Sequence, residues 1–190
     1  MSFFSSTFNP FGLDISDESL KLVQIINTSR GLSLKSWRKI DLPSGILSAG
    51  EIKNETELIK NIKKLINSCQ PKITHNYVVA CLPETKTFIK LINVTTPEKN
   101  HQQKEKLSEL VKQELPRHIP LPVENVYFDW QIIAQKGNNF EILIGVAPKQ
   151  TVNEFSQLLK KRGLLPVALE IEAQAIIRAI FPCLLYTSPS

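Results

Sequence analysis

The run Phe11-Gly12-Leu13-Asp14-Ile15-Ser16-Asp17-Glu18-Ser19-Leu20-Lys21-Leu22-Val23-Gln24-Ile25 decides how the rest of the chain is read. Two apolar runs flank a short polar turn, which predicts a β-hairpin with strands at 11–15 and 20–26. The tip of such a hairpin can face a phosphate, and a carboxylate at a strand end, here Asp14, can hold a metal through water. Lys21 on the return strand supplies an ammonium as a point charge. Ser16 and Ser19 supply hydroxyl and backbone donors. The same residue types also make an ordinary polar turn, because Asp, Ser and Glu bond readily to nearby backbone. Both readings stand at the level of local chemistry.

Working outward, residues 32–42 alternate as a third strand, with Leu32, Leu34, Ser36 and Arg38 on one face and Ser33, Lys35, Trp37 and Lys39 on the other. Pro43-Ser44-Gly45 ends it, and a loop runs to Gly50. Asn54 is placed to cap a helix, with Glu57 three residues on completing a capping box. Leu58, Ile59, Ile62, Leu65, Ile66 and Cys69 have helical spacing, and Pro71 stops the run. The nearly continuous apolar stretch 77–82 predicts a strand buried on both faces.

After Pro83 the rhythm changes. A strand is expected at 88–94 and an amphipathic helix at 102–115, followed by a stiff connector at Pro116, Pro120 and Pro122. Strands at 126–133 and 140–147 flank a turn at 136–139. A helix carrying Val152, Phe155, Leu158 and Leu159 ends at Gly163, a favoured residue just past a helix. A strand at 167–171 and a helix with Ala173, Ile176, Ile177 and Ile180 on one face close the pattern. The fold class is mixed α/β, with a small strand–helix–strand–strand α+β unit inserted into a larger one.

At 190 residues and 42% hydrophobic, the chain can build one sizeable domain or two small ones. A charged fraction of 22% excludes wholesale disorder. The net charge of +5 comes without a basic run interleaved with aromatics, which argues against a nucleic-acid groove. No apolar run approaches the roughly 20 residues needed to span a bilayer. The start lacks the basic region and apolar core of a signal peptide, so a flexible leader at 1–9 is expected. Cys69, Cys81 and Cys183 have no metal-ligand spacing and suit a reducing, cytoplasmic setting. His75, His101 and His118 are isolated, and Tyr127 and Trp130 read as strand packing.

The last eight residues, Cys183-Leu-Leu-Tyr-Thr-Ser-Pro-Ser190, break the preceding pattern. They resemble the translation of a transposase adapter used in preparing DNA sequencing libraries. The expectation is an artefactual tail at 183–190 on an N-terminal fragment that departs from its native sequence near Pro182.

Four stretches then carry a family likeness: Gly12-Leu-Asp-Ile-Ser-Asp-Glu-Ser-Leu-Lys21, Leu42-Pro-Ser-Gly-Ile-Leu-Ser-Ala-Gly-Glu-Ile52, Ile119-Pro-Leu-Pro-Val-Glu-Asn-Val-Tyr-Phe-Asp-Trp130 and Gly163-Leu-Leu-Pro-Val-Ala-Leu-Glu-Ile-Glu-Ala-Gln-Ala-Ile-Ile-Arg-Ala179. In order and spacing the chain resembles PilM-type type IV pilus assembly proteins, relatives of the division protein FtsA within the actin-like ATPase superfamily. The resemblance implies an actin-like (ribonuclease H-like) first lobe from 10–83 plus 163–182, with 84–162 as the inserted subdomain. It implies ATP with Mg²⁺ between two lobes, and a peptide from the cytoplasmic tail of the membrane protein PilN docked on the first lobe.

By the same resemblance Asp14, Ser16, Ser19 and Lys21 become cofactor-binding residues, with Asp14 holding Mg²⁺ through water. Glu172 falls where the superfamily often keeps a group that orients the attacking water, a positioning role. Glu170 and Glu172 equally suit the positive end of a helix macrodipole. One departure stands out. Actin-like hairpins usually carry Gly after Asp-Ile, whereas Ser16 stands here, and only glycine allows φ > 0 without strain. Asp17 and Glu18 at the tip would repel phosphate unless directed away from it. The leading expectation is therefore an ATP-binding scaffold that docks PilN, peripheral to the inner membrane. An active ATPase or sugar-kinase-like enzyme, an FtsA-like division protein and a type II secretion component are the alternatives.

Overall fold

The computed structural model describes residues 9–96 and 103–180. The expected leader (but for residue 9), the tail at 183–190, Pro182, His101 and Cys183 lie outside the described residues. The described residues separate into two compact units, one within 9–85 and 153–180 and one within 86–152. The second boundary falls at 152/153 rather than at the 162/163 read from the sequence, so most of the third helix belongs with the first unit.

The first unit is built on a five-stranded sheet in the order β10-β6-β1-β2-β3. Its strands are β1 (Phe11–Ile15), β2 (Ser19–Thr28), β3 (Gly31–Asp41), β6 (Tyr77–Leu82) and β10 (Leu165–Ile171). β1 pairs antiparallel with β2, and β2 with β3, while β1, β6 and β10 run parallel. Two-residue strands β4 (Leu47–Ser48) and β5 (Glu51–Ile52) form a minimal hairpin in the expected loop.

Alternation decides what each face of this sheet buries. Phe11, Leu13, Ile15, Leu20, Leu22, Val78, Ala80 and Leu82 are all buried on one face. Helix α1 (Glu55–Asn67) contributes Leu58, Ile62 and Leu65, each fully buried, and contacts β2 and β3. Removing three such side chains from water contributes roughly 2 kcal/mol apiece. The cap of α1 is half of the expected box. Asn54 accepts from the Glu57 amide at 3.1 Å, but the Asn54 amide donates to the Ile46 carbonyl and the Glu57 carboxylate accepts from Lys60 instead.

Two expectations for this sheet are corrected. β6 is not buried on both sides: Val78, Ala80 and Leu82 are buried while Tyr77, Val79 and Cys81 are half-buried, so its second face is less covered. In β3 a bulge falls at Lys35, because Gln24 pairs with Ser36 but Ile25 pairs with Leu34. The extra residue switches the alternation. Leu32 and Leu34 therefore share a face with Trp37 and Lys39, whereas Ser36 turns inward and donates to the Pro71 carbonyl at 2.6 Å.

The second unit is a three-stranded antiparallel sheet in the order β7-β9-β8, packed with helix α2 (Gln103–His118). Its strands are β7 (Phe88–Thr95), β8 (Val126–Lys136) and β9 (Asn139–Pro148). The helix brings Leu107, Val111 and Leu115 against Ile92, Val94, Phe140, Ile142, Ile144 and Val146, while Trp130 packs at the margin. Pro116 lies inside α2 instead of beyond it. A proline in the final turn removes a single hydrogen bond, and the Ile119 amide still reaches the Leu115 carbonyl at 3.1 Å.

Helix α3 (Lys149–Lys161) buries Phe155, Leu158 and Leu159, and Lys161 meets Glu55 of α1 at 2.7 Å. Gly163 ends it with φ +82°. The Gly163 amide reaches Lys160 and the Leu164 amide reaches Leu159, so the last carbonyls are satisfied. Helix α4 (Glu172–Ile180) follows β10 directly, with Ile176 and Ile177 exposed.

Candidate functional site

Because β1, β6 and β10 are parallel, their carboxyl ends lie side by side, with Leu13 opposite Ala80 and Ile171 opposite Leu82. Crevices outside the carboxyl ends of parallel strands are where open α/β sheets take ligands. Asp14 sits at this end of β1, Glu172 opens α4 at the end of β10, and Glu84 follows β6. Lys21 is the direct cross-strand partner of Asp14, and its Nζ donates to Asp14 Oδ2 at 2.6 Å.

Charge couples these groups. Burial raises the Glu172 carboxyl above its ordinary range, and the neighbouring charges of Asp14 and Glu84 push the same way, with Lys21 opposing. The hydrogen bond to Asp14 raises the Lys21 ammonium, against partial burial, and Asp14, Glu172 and Cys81 add their fields. The structure thus brings Asp14, Lys21 and Glu172 into one electrostatic cluster and adds Glu84, which the sequence reading missed. Its one signal was position, since Glu84 follows the apolar strand just where the parallel strands end.

Ser16 and Ser19 are placed differently. The Ser16 amide and hydroxyl both donate to the Ser19 carbonyl at 3.0 Å, and the two hydroxyls lie 3.1 Å apart. Ser19 is buried. The turn satisfies its own donors. Asp17 is directed away from the cluster, accepting from the amides of Ala49 and Gly50 at 2.6 and 3.2 Å. Both residues have positive φ, 49° and 74°, so the β4–β5 turn presents two amides to one carboxylate. The expected repulsion from Asp17 is thereby removed.

The remaining candidates stand apart. His75 is stacked loosely between Phe11 and Tyr77 and shares a 2.8 Å hydrogen bond with the buried Gln24. Burial, aided by Lys35, lowers its pKa. His118 lies 3.8 Å from Glu114. Burial raises the Cys69 thiol, with the Arg38 charge opposing. Tyr127 is exposed beneath the Lys149 ammonium, 5.5 Å from the ring centroid. Among the described residues, no group of three or more His, Cys, Asp or Glu is arranged to hold a metal. Among the same residues, no helix is long and apolar enough to cross a membrane.

The sequence matches the family described as "Type IV pilus assembly protein PilM" over residues 12–188. The chain belongs to the PilM family. No curated protein matches the sequence. Among solved structures, this PilM-family chain is similar to a "PilM-PilN type IV pilus biogenesis complex" at 24% identity and a TM-score of 0.79. That match covers 93% of this chain and 51% of the other, so the chain spans about half the length of that relative. It establishes the fold, an actin-like lobe carrying an inserted α+β unit. A fainter likeness links it to the cytoplasmic domain of EpsL, an inner membrane component of the type II secretion system of Vibrio cholerae. There the identity is 10% and the TM-score 0.47, with 84% of this chain and 56% of that one covered.

Proposed function

We propose that this PilM-family chain contributes the first lobe of a cytoplasmic ATP-binding scaffold in type IV pilus assembly. The observation that carries the reading is the cluster of Asp14, Lys21 and Glu172 where three parallel strands end. Its chemistry suits a hydrated Mg²⁺ held by Asp14 alone: the three carboxylates are not grouped to ligate an ion together, but a divalent cation beside Asp14 would relieve the repulsion that Asp14 and Glu84 exert on Glu172. Asp14 would hold the ion through water, and Lys21 would turn from Asp14 toward a phosphate. The Ser16 amide is already bonded to Ser19, so the turn itself offers that phosphate little backbone. The bound ion would neutralise charge on the phosphates.

The partner proposed is the N-terminal cytoplasmic tail of a PilN-like membrane protein, which would keep the scaffold peripheral to the inner membrane. Support comes from family membership and from a structural relative that is a complex with PilN. The test is titration of the complete gene product with Mg²⁺-ATP and, separately, with a PilN N-terminal peptide. Saturable binding of both is expected, with the nucleotide term weakened by Asp14→Asn. Absence of peptide binding rules out the scaffold role, and nucleotide binding indifferent to Asp14 rules out this site.

An active ATPase is the second reading, favoured by the raised Glu172 carboxyl beside Asp14. Such a group can orient water near a phosphate. Turnover lost in Glu172→Gln would support it; no turnover in the complete gene product excludes it.

A further inference from the structure

The bulge at Lys35 sets Ser36 of β3 directly opposite Gln24 of β2. Both side chains are only 1% exposed, and a polar group so buried must find a partner. Both find it in the segment 70–75, which joins α1 to β6 and has no helix or strand of its own. Ser36 Oγ donates to the Pro71 carbonyl at 2.6 Å, and Gln24 Nε2 lies 2.8 Å from His75 Nε2. Among the described residues these are the only hydrogen bonds that residues 70–75 make. Two buried side chains, paired in register, therefore tie the segment to the sheet.

We propose that Gln24 and His75 form an acid-released latch on this segment. An amide N–H can donate to Nε2 only when that ring nitrogen is bare, so the bonded ring is neutral and carries its proton on Nδ1. Nδ1 and Gln24 Oε1 are both buried without a partner. A proton added to Nε2 sets a second donor against the Gln24 amide. Turning the amide over presents Oε1 to Nε2–H, but the cationic ring still holds Nδ1–H buried with nothing to accept it. Nor is a countercharge at hand. The ring meets Gln24 of β2, Phe11 of β1 and the phenol Tyr77 of β6. The charge that acts on it is Lys35 of β3, of the same sign as the ring cation, and no carboxylate among the described residues contributes. On the α1 side stands the thiol Cys69, on which Arg38 acts. The latch is therefore closed above pH 6.5 and opens as pH falls through the folded value, which lies below 6.5. Ser36 keeps its hold on Pro71, so opening is confined to the stretch near His75. This inference does not rest on nucleotide binding at Asp14.

The test is nitrogen-15 NMR of the full chain titrated from about pH 7.5 to about pH 5. Ring nitrogen shifts should show the proton on Nδ1 at the upper end, and the Gln24 side-chain amide should titrate with the same midpoint as the ring. Backbone order parameters at Ile73, Thr74 and His75 should fall from about 0.85 to below about 0.6 as the ring is protonated. His75→Phe keeps a ring in place without the proton, and should make those order parameters independent of pH. Gln24→Glu sets a carboxylate against the ring, and should raise the His75 midpoint and keep the segment ordered at about pH 5. The proposal is overturned if the segment stays equally ordered through the His75 titration, or if the neutral ring carries its proton on Nε2. It is also overturned if His75→Phe loosens with acid as the unmodified chain does, or if folded Gln24→Glu opens at the unmodified midpoint. Should Gln24→Glu fail to fold, His75→Phe decides.

Discussion

Lys21 and Asp14 face each other across the first hairpin, directly paired in register and joined by a 2.6 Å hydrogen bond. The pair lies on the sheet face opposite the core packed by α1, in the row that ends where β1, β6 and β10 end together. An ion pair this accessible contributes little to folding. Its position beside Glu172 is what gives it functional interest.

Asp14→Asn should therefore separate stability from binding. Denaturation in the absence of nucleotide should shift by less than about 1 kcal/mol, as for other exposed pairs. Mg²⁺-ATP affinity of the complete gene product, read by calorimetry, should fall at least about tenfold if Asp14 orders the water of a bound ion. A large loss of stability would show instead that the pair is structural.

Glu172→Gln removes a charge that burial, Asp14 and Glu84 all disfavour. A carboxyl raised in the folded state costs stability when ionised, and that cost disappears as pH falls through its folded value toward the unfolded one. At pH 7, without divalent ions, the variant should melt at the same temperature or a few degrees higher. A clear fall in melting temperature would contradict this.

His75 works in the opposite sense to a salt-bridged histidine. Its folded pKa is held below the ordinary 6.5 by burial and by Lys35. The neutral ring is the form that fits beside Gln24, so its stabilisation is complete above pH 6.5 and lost as pH falls from there toward the folded value. Melting temperature measured across this window should fall with acid, and His75→Gln should flatten the slope. NMR titration of the ring gives the pKa directly.

Asp17→Ala leaves the amides of Ala49 and Gly50 without their carboxylate. Two charge-assisted bonds at a partly exposed turn should be worth about 1–3 kcal/mol together. Urea unfolding checks this, and Asp17→Asn should recover part of the loss. No loss in either variant would mean that water replaces the side chain at no cost.

Phe140→Ala tests the second unit. Phe140 is fully buried among Ile92, Val94, Leu107 and Val111, so truncation should cost about 3–5 kcal/mol. Hydrogen exchange should show the loss in β7, β8, β9 and α2. A change under 1 kcal/mol would place Phe140 outside the core.

Local chemistry made much of this fold legible. The hairpin 11–26, the cap at Asn54, the strand 77–82, the stop at Gly163 and the helix opening at Glu172 all appear where period and capping put them. Each depends on residues within a few positions of one another. Glu84 was not legible as a neighbour of Glu172, because only β6 and β10 pairing in parallel brings them together. The outward turn of Asp17 was hidden for the same reason, its partners lying more than 30 residues away.

The hydrophobic period and the turn residues by themselves determined the element order and the mixed α/β class, since both act through neighbouring residues. Tertiary pairing alone decided which side of β3 faces water. A single extra residue at Lys35, set by the register of β2 against β3, reverses the alternation of everything before it. Side chains alternate with period two, so this one-residue slip moves Leu32 and Leu34 beside Trp37. No local pattern within β3 records that slip, because it is a property of two strands rather than one.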